Sequence, residues 1–144
     1  MIRRFVSVWL PYWPADRWRR QFRIEKGPTD DTRPLVLTAP GPGGPRITAV
    51  DARAETENLH AGQSLADARA RVPQLHSVEA DPLADAAALG HLAAWCGRYT
   101  PWAAADGDDG LVLDISGCAH LFEGEAALVA DLMRRLARAG VTAR

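Results

Sequence analysis

Cysteine, lysine and long apolar runs are scarce in this sequence of 144 residues. Only Cys96 and Cys118 are cysteines, and neither has another cysteine or a histidine at the spacing of a zinc site, so we predict two reduced thiols in a core. No segment approaches the roughly 18 apolar residues of a membrane span, and the first residues lack the small-residue cleavage site of a secretory signal. These absences predict a cytoplasmic protein with no membrane partner.

Charge is unevenly distributed, although the net charge is only −1. Between Glu79 and Glu125 there are nine acidic residues and a single basic one, Arg98. Both ends of the chain are basic, and Lys26 is the only lysine among the 17 basic residues. Basic ends can contact phosphate groups, although a solvated helix face is the usual cause of such runs. The candidate DNA-binding residues are Arg17, Arg19, Arg20 and Arg23, with Arg134, Arg135, Arg138 and Arg144 at the other end.

Short apolar runs alternate with helical periodicity, which predicts an α+β or α/β sheet protein. Hydrophobic residues make up 47% of the chain, enough for one sizeable core or two small ones. Ser64, followed three residues later by Asp67, predicts the capped start of a helix. The pattern indicates a small inserted subdomain at residues 13–79. Strands are predicted from Phe5, Leu35, Arg46, His76 and Leu111, and helices from near Pro14, Ser64, Pro82 and Glu123.

The stretch DGDDGLVLDISG, residues 106–117, places three carboxylates directly ahead of an apolar run that contains a fourth. Acids beside a strand can hold magnesium, because hard divalent cations need several oxygen ligands. The same pattern is typical of a hairpin, since Asp and Gly favour turns and the alternating run needs only one buried face. The stretch alone favours the hairpin and leaves the metal site open.

Three stretches occur in the order and at the spacing of a known family. The first pairs an opening strand with an aromatic-rich helix, the second gives two strands and a helix, and the third carries acids into a strand. They read RFVSVWLPYWPADRWRR, then PLVLTAP, ITAVDAR and AGQSLADARARVP, then DGDDGLVLDISG. Together they resemble the N-terminal palm and fingers portion of Y-family (translesion) DNA polymerases, most closely the bacterial ImuB-like branch.

The resemblance implies a particular architecture. Residues 1–12 and 80–144 would form a palm-like domain, a ferredoxin-like sheet with helices on one face, incomplete at its C-terminal end. Residues 13–79 would form a small fingers-like subdomain. We therefore expect the chain to be part of a longer protein.

The positions that hold metal ions in active members of the family differ here. Where the first strand of an active member ends in Asp-x-Asp, this chain has Trp9, Leu10 and Pro11, and where the second motif has Asp-Glu, it has Asp109 and Gly110. One of three expected carboxylates thus remains, and one carboxylate cannot hold two magnesium ions about 4 Å apart. The resemblance therefore implies no catalytic residue, no metal and no cofactor, with Trp9, Pro11, Asp109 and Gly110 as degenerate positions.

The triphosphate motif of the family, Tyr-x-x-Arg, is half retained. This chain has Val50 in place of the tyrosine and keeps the arginine as Arg53. Arg53 is therefore expected to be a vestigial nucleotide-binding residue. The alternative is a surface ion pair between Arg53 and Asp51 or Glu55.

The ImuB-like resemblance implies a non-catalytic adaptor in DNA repair, acting in the SOS response to DNA damage through translesion synthesis. The implied partners are a RecA-like (ImuA-like) accessory protein, an error-prone C-family polymerase that supplies the chemistry, and a sliding clamp bound through regions beyond this chain. Weak non-specific DNA binding and a nucleoid-associated location are also expected. Two alternatives remain: a generic α+β interaction domain, or an active nucleotidyl transferase with a divergent metal site at Asp106, Asp108, Asp109 and Asp114.

Overall fold

The computed structural model describes residues 2–144. Its elements in chain order are β1 (Phe5–Trp9), α1 (Trp13–Lys26), β2 (Leu35–Ala39), β3 (Arg46–Val50), α2 (Ala52–Thr56), α3 (Leu65–Arg71), β4 (His76–Glu79), α4 (Pro82–Trp95), β5 (Ala103–Asp106), β6 (Gly110–Asp114) and α5 (Glu125–Arg138). The predicted α+β class is confirmed. Within residues 2–144, no helix combines the length and the apolar character that crossing a membrane requires.

The chain divides into two compact units. One unit is discontinuous and combines the segment that ends at Trp13 with Leu83–Arg144. The other is a continuous insertion, Pro14–Pro82. Each unit has its own three-stranded sheet.

The discontinuous unit contains an antiparallel sheet with the strand order β1-β6-β5. Because successive side chains of a strand point to opposite faces, Val8 of β1 and Leu111 and Leu113 of β6 are buried on one face. Leu89 and Leu92 of α4 join the same core cluster, as do three leucines of α5, Leu128, Leu132 and Leu136. Strand β1 thus pairs with β6, and α4 and α5 both pack on the core face of this sheet, as expected of a sheet with helices on one face.

Helix α5 begins two residues later than predicted. Glu123, the expected first residue, has φ of 64° and the following Gly124 has φ of 115°. These left-handed conformations are incompatible with helix propagation, so the helix starts at Glu125. The apolar stripe of this helix could be predicted from its period, but the boundary depends on the turn that precedes it.

The insertion is a hairpin, β2 and β3, with β4 added parallel to β2. Its core contains Val36, Ile47 and Leu59. The Ser64 hydroxyl accepts a hydrogen bond from the Asp67 N–H, so the predicted cap of α3 is confirmed. The short helix α2 was not predicted, because Asp51 caps only five residues.

Both cysteines are free thiols. Cys96 is buried in the core of the discontinuous unit, and Cys118 is half-buried. Burial raises the pKa of the Cys96 thiol to about 11, so its reactive thiolate form is scarce near neutral pH. Cys96 is thus a core thiol as predicted, whereas Cys118 is only half-buried and lies outside the core cluster.

Candidate functional site

Strands β1 and β6 bring three of the four degenerate positions together. Trp9 is the pairing partner of Gly110 across the sheet. The Trp9 indole Nε1–H donates a hydrogen bond to Asp109 Oδ2 at 3.3 Å, and the Leu10 N–H donates to the Asp109 carbonyl at 2.7 Å. A tryptophan, a glycine and one carboxylate thus occupy the positions where the family resemblance implies a cluster of metal-ligating acids in active members.

Pro11, the fourth position, lies in the turn between β1 and α1. The exposed side chains of β1 that alternate with buried Val8 are Ser7 and Trp9, and Ser7 pairs with Val112 of β6. Sequence reasoning did not single out Ser7. The period-two alternation of the strand was the signal that could have identified it, because residues 7 and 9 must share a face.

Gly110 has no room for a side chain. A Cβ atom at this position would lie 2.8 Å from the Asp106 carbonyl oxygen and 3.3 Å from the Val8 carbonyl oxygen. Both neighbours are backbone atoms held in the sheet, so they cannot rotate away as a flexible side chain would. The hairpin and the neighbouring strand therefore exclude a carboxylate-bearing side chain unless the backbone moves.

A cation lies beside Trp9. The guanidinium carbon of Arg144 is 5.4 Å from the centroid of the Trp9 ring and 6.0 Å from that of Tyr12, within the range of cation–π attraction. Trp9 and Arg144 also exchange both backbone hydrogen bonds, at 2.7 and 2.8 Å. These contacts fix Trp9 in place at the end of β1.

The carboxylates of residues 106–114 do not form one cluster. Asp114 forms an ion pair with Arg3 at 2.7 Å, and hydrogen bonds with Ser116, followed by the contact with Arg3, lower the pKa of Asp114. Asp106 and Asp108 are exposed. Across residues 2–144, no group of three or more His, Cys, Asp or Glu side chains is arranged to hold a metal ion. The hairpin prediction is confirmed, because β5 and β6 pair antiparallel with Asp106 opposite Gly110.

The second candidate region lies in the insertion, around Asp51. This buried carboxylate accepts the Ala54 N–H at 2.8 Å, which caps α2, and forms an ion pair with Arg19 at 2.9 Å. Arg53 is not its partner: the Arg53 guanidinium donates to the Asp31 carbonyl at 3.3 Å. Of the two partners suggested for Arg53, Asp51 instead binds Arg19 and the Ala54 N–H, and a pair between Arg53 and Glu55 stays a prediction.

The four arginines of α1 differ in their surroundings. The Arg19 guanidinium donates hydrogen bonds to the Asp51 carboxylate and to the Arg33 carbonyl, so its contacts are within the insertion. Arg17 and Arg20 are half-buried, and Arg23 is exposed in the last turn of the helix. A phosphate-contacting role suits Arg20 and Arg23 better than Arg19.

The chain belongs to the IMS family, described as the impB/mucB/samB family, whose sequence model matches residues 26–143. This is the Y-family polymerase class that the three motifs resemble. Protein ImuB of Caulobacter vibrioides, in strains NA1000 / CB15N and ATCC 19089 / CIP 103742 / CB 15, is 57% identical over 86 residues, which are 60% of this chain and 19% of the relative. The chain thus spans about a fifth of the length of these curated relatives.

Solved structures of Y-family polymerases share the fold. An insertion ternary complex of Dbh DNA polymerase aligns with a TM-score of 0.74 at 15% identity, covering 96% of this chain and 40% of that chain. DinB from Sulfolobus solfataricus aligns with a TM-score of 0.67 at 15% identity, covering 96% and 40%. At this identity the likeness concerns the fold alone, and it confirms the predicted Y-family polymerase-like fold.

Proposed function

We propose that this chain is the polymerase-like part of a non-catalytic adaptor in damage-induced translesion DNA synthesis. The observation that carries the proposal is the pairing of Trp9 with Gly110 at the ends of β1 and β6. Two-metal nucleotidyl transfer needs several oxygen ligands from more than one segment. Trp9 and Gly110 supply no side-chain oxygen, and the Asp109 carboxylate accepts a hydrogen bond from the Trp9 indole.

The further parts of the proposal rest on the likeness to ImuB over 86 residues. Residues 1–12 and 80–144 would act as a palm-like scaffold and residues 13–79 as a fingers-like subdomain. A RecA-like accessory protein, an error-prone C-family polymerase and a sliding clamp are the proposed partners, with the polymerase supplying the chemistry. A cytoplasmic, nucleoid-associated location follows from that role.

Magnesium binding and primer extension test the proposal together. We expect no saturable calorimetric signal on titrating the protein with millimolar Mg²⁺, and no extension of a primed template. The Asp109→Ala variant should behave as the parent in both assays, because the change removes turn chemistry worth about 1 kcal/mol or less of unfolding free energy at an exposed site.

The exposed Asp30 provides a matched control, since Asp30→Ala removes a carboxylate far along the chain from the hairpin. A saturable Mg²⁺ signal that Asp109→Ala abolishes and Asp30→Ala preserves would overturn the proposal. So would primer extension that falls by orders of magnitude in the Asp109 variant alone. Either result would support a divergent metal site.

DNA binding by the 144 residues is expected to be weak, indifferent to sequence and strongly dependent on salt. Each phosphate neutralised by an arginine contributes through counterion release, while the nine acids between Glu79 and Glu125 oppose the approach of the duplex. Titration of a duplex at about 50 and 200 mM salt measures this dependence. Tight binding that persists at the higher salt would contradict the expectation.

Variants can assign the phosphate contacts. Replacing Arg20 and Arg23 with glutamine should reduce the slope of log affinity against log salt by up to about two, since each phosphate contact contributes roughly 0.9 to that slope. Arg33→Gln is the matched control, because Asp31 holds the Arg33 guanidinium at 2.8 Å. An equal loss in the control would show that the α1 arginines make no specific contribution.

A further inference from the structure

The sheet β1-β6-β5 has a second face, opposite the core face on which α4 and α5 pack. Large apolar side chains are exposed on it: Phe5 is 60% exposed, Trp102 is 72% exposed and Trp9 is 49% exposed. Exposed apolar patches of this kind on a soluble domain mark interaction surfaces. We call this the outer face and define it by Phe5, Ser7, Trp9, Trp102, Ala104, Asp106, Val112 and Asp114.

The outer face contains a groove of about 330 Å³. Its floor is formed by Val112 of β6 and by Ala104, which pairs with Val112 across the sheet. Phe5 and Trp102 line it as well, and both are adjacent to Asp114: Phe5 pairs with Asp114 in the sheet, and the Asp114 N–H donates to the Trp102 carbonyl at 2.8 Å. Because the alanine leaves space between aromatic walls, the groove suits one bulky apolar side chain.

Negative charge lies along the strand from this groove. Asp106 follows Ala104 by two residues, so both side chains project from the same face of β5. Asp106 and Asp108, which follows it by two residues, are both exposed. The Arg3 guanidinium, at the other end, is engaged by Asp114. The exposed Asp106 carboxylate therefore offers a contact for a cation at this end of the groove.

Strand β5 also has a free edge. It is the last strand in the order β1-β6-β5. In an antiparallel ladder, residue pairs that share backbone hydrogen bonds alternate with pairs that do not. Trp102 is hydrogen-bonded to Asp114, so Ala104, two residues later, is in the next hydrogen-bonded pair, with Val112. Ala103 and Ala105 therefore direct their N–H and C=O groups away from β6. Such an edge can accept an extended peptide through main-chain hydrogen bonds.

We propose that the outer face docks an extended peptide segment of a partner protein. The segment places one bulky apolar side chain in the groove and a lysine or arginine two residues away, beside Asp106. The spacing of two follows from the alternation of side chains in an extended strand. This inference rests on the proposed function, because a face on which no metal chemistry takes place is free for protein contact.

A labelled heptapeptide, Ser-Lys-Ser-Phe-Ser-Lys-Ser, is the probe. It carries the apolar anchor and a lysine two residues to either side, so it fits in both strand directions. We expect saturable binding in fluorescence anisotropy, at least about tenfold tighter than for the peptides with glutamate in place of lysine or serine in place of phenylalanine. Equal binding of all three peptides, or no binding of the probe, would overturn the proposal.

Paired variants locate the site. Phe5→Ala combined with Trp102→Ala should weaken binding of the probe at least about tenfold, as truncation of anchor contacts does. Leu83→Ala combined with Leu121→Ala is the matched control, because these side chains are 85% and 69% exposed elsewhere in the same unit. All four changes are at exposed sites, and circular dichroism is the check that each variant is folded. Equal losses in the two pairs contradict the proposal.

The acidic contact has its own test. Asp106→Asn should weaken binding of the probe several-fold and leave binding of a further peptide, with serine in place of both lysines, unchanged. Asp30→Asn, at an exposed position of the insertion, should alter the binding of neither peptide. A dodecamer of deoxythymidine tests the nucleic-acid alternative: competition between this oligonucleotide and the probe, lost in the Phe5 and Trp102 variant, would assign the face to single-stranded DNA and overturn the peptide proposal.

These outcomes separate the inference from the proposed function. Metal-dependent primer extension would refute the non-catalytic role whichever peptides bind. Absence of both extension and peptide binding would refute only the docking inference.

Discussion

Replacing Trp13 with alanine is expected to lower the free energy of unfolding of the discontinuous unit by about 3–5 kcal/mol. Trp13 is fully buried in the core formed with α4, α5 and the sheet. Its indole N–H donates to the Asp85 carbonyl at 3.0 Å. The substitution would therefore leave a large cavity and remove the donor of a partly buried hydrogen bond. Denaturant unfolding followed by circular dichroism measures the loss.

Trp102→Ala is the matched control for this prediction. The chemical change is the same, but Trp102 is 72% exposed, so the expected loss is about 0.5 kcal/mol or less. Similar losses at the two positions would show that Trp13 is not a core residue. That result would also contradict the packing of the sheet described above.

Replacing Gly110 with glutamate is expected to lower the free energy of unfolding by about 1–3 kcal/mol. The change supplies the carboxylate that the polymerase motif expects, yet its Cβ would lie 2.8 Å from the Asp106 carbonyl oxygen. Relieving this close contact requires movement of the β5–β6 hairpin or of β1. We also expect no gain of Mg²⁺ binding, because Trp9 still occupies the facing position. Denaturant unfolding and magnesium calorimetry check the two statements.

Gly90→Glu is the control with an identical substitution. Gly90 lies in the interior of α4, and a Cβ there would meet nothing within 4 Å. Glutamate is a good helix former and glycine a poor one, so this variant should be about 0.5–1 kcal/mol more stable than the parent. Destabilisation of both variants alike would mean that the glutamate side chain, and not the crowding at residue 110, is responsible.

Much of the fold could be predicted from local signals. The strands Leu35–Ala39 and Arg46–Val50 begin at the predicted residues, because apolar runs stand between turn residues. The start of α4 at Pro82 follows from the preference of proline for the first helical turn. Ser64 and Asp67 likewise marked α3. Each signal lies within a few residues of the feature that it predicts.

The candidate site was harder to predict from the sequence, because its geometry depends on residues that are distant along the chain. The pairing of Trp9 with Gly110 fixes Ser7, and not Pro11, as the residue that shares the outer face. Similarly, Arg19 pairs with Asp51, 32 positions away, so composition alone could not separate it from the other arginines of α1. The crowding at Gly110 arises from backbone atoms of two other strands. Backbone positions of this kind are not encoded by the residue types next to Gly110.

The interruption of the discontinuous unit by an insertion has a consequence for folding order. Arg4 and Ser116, 112 positions apart, are joined by a hydrogen bond beside the β1–β6 ladder, so this sheet cannot be completed until Ser116 has been synthesised. The insertion Pro14–Pro82 is complete earlier in synthesis, and its longest strand pairing, between Leu35 and His76, spans a shorter separation than the pairing of β1 with β6. Since long-range pairing carries the larger loop-closure entropy and folds more slowly, we expect the insertion to fold first and to shorten the effective loop that β1 must close.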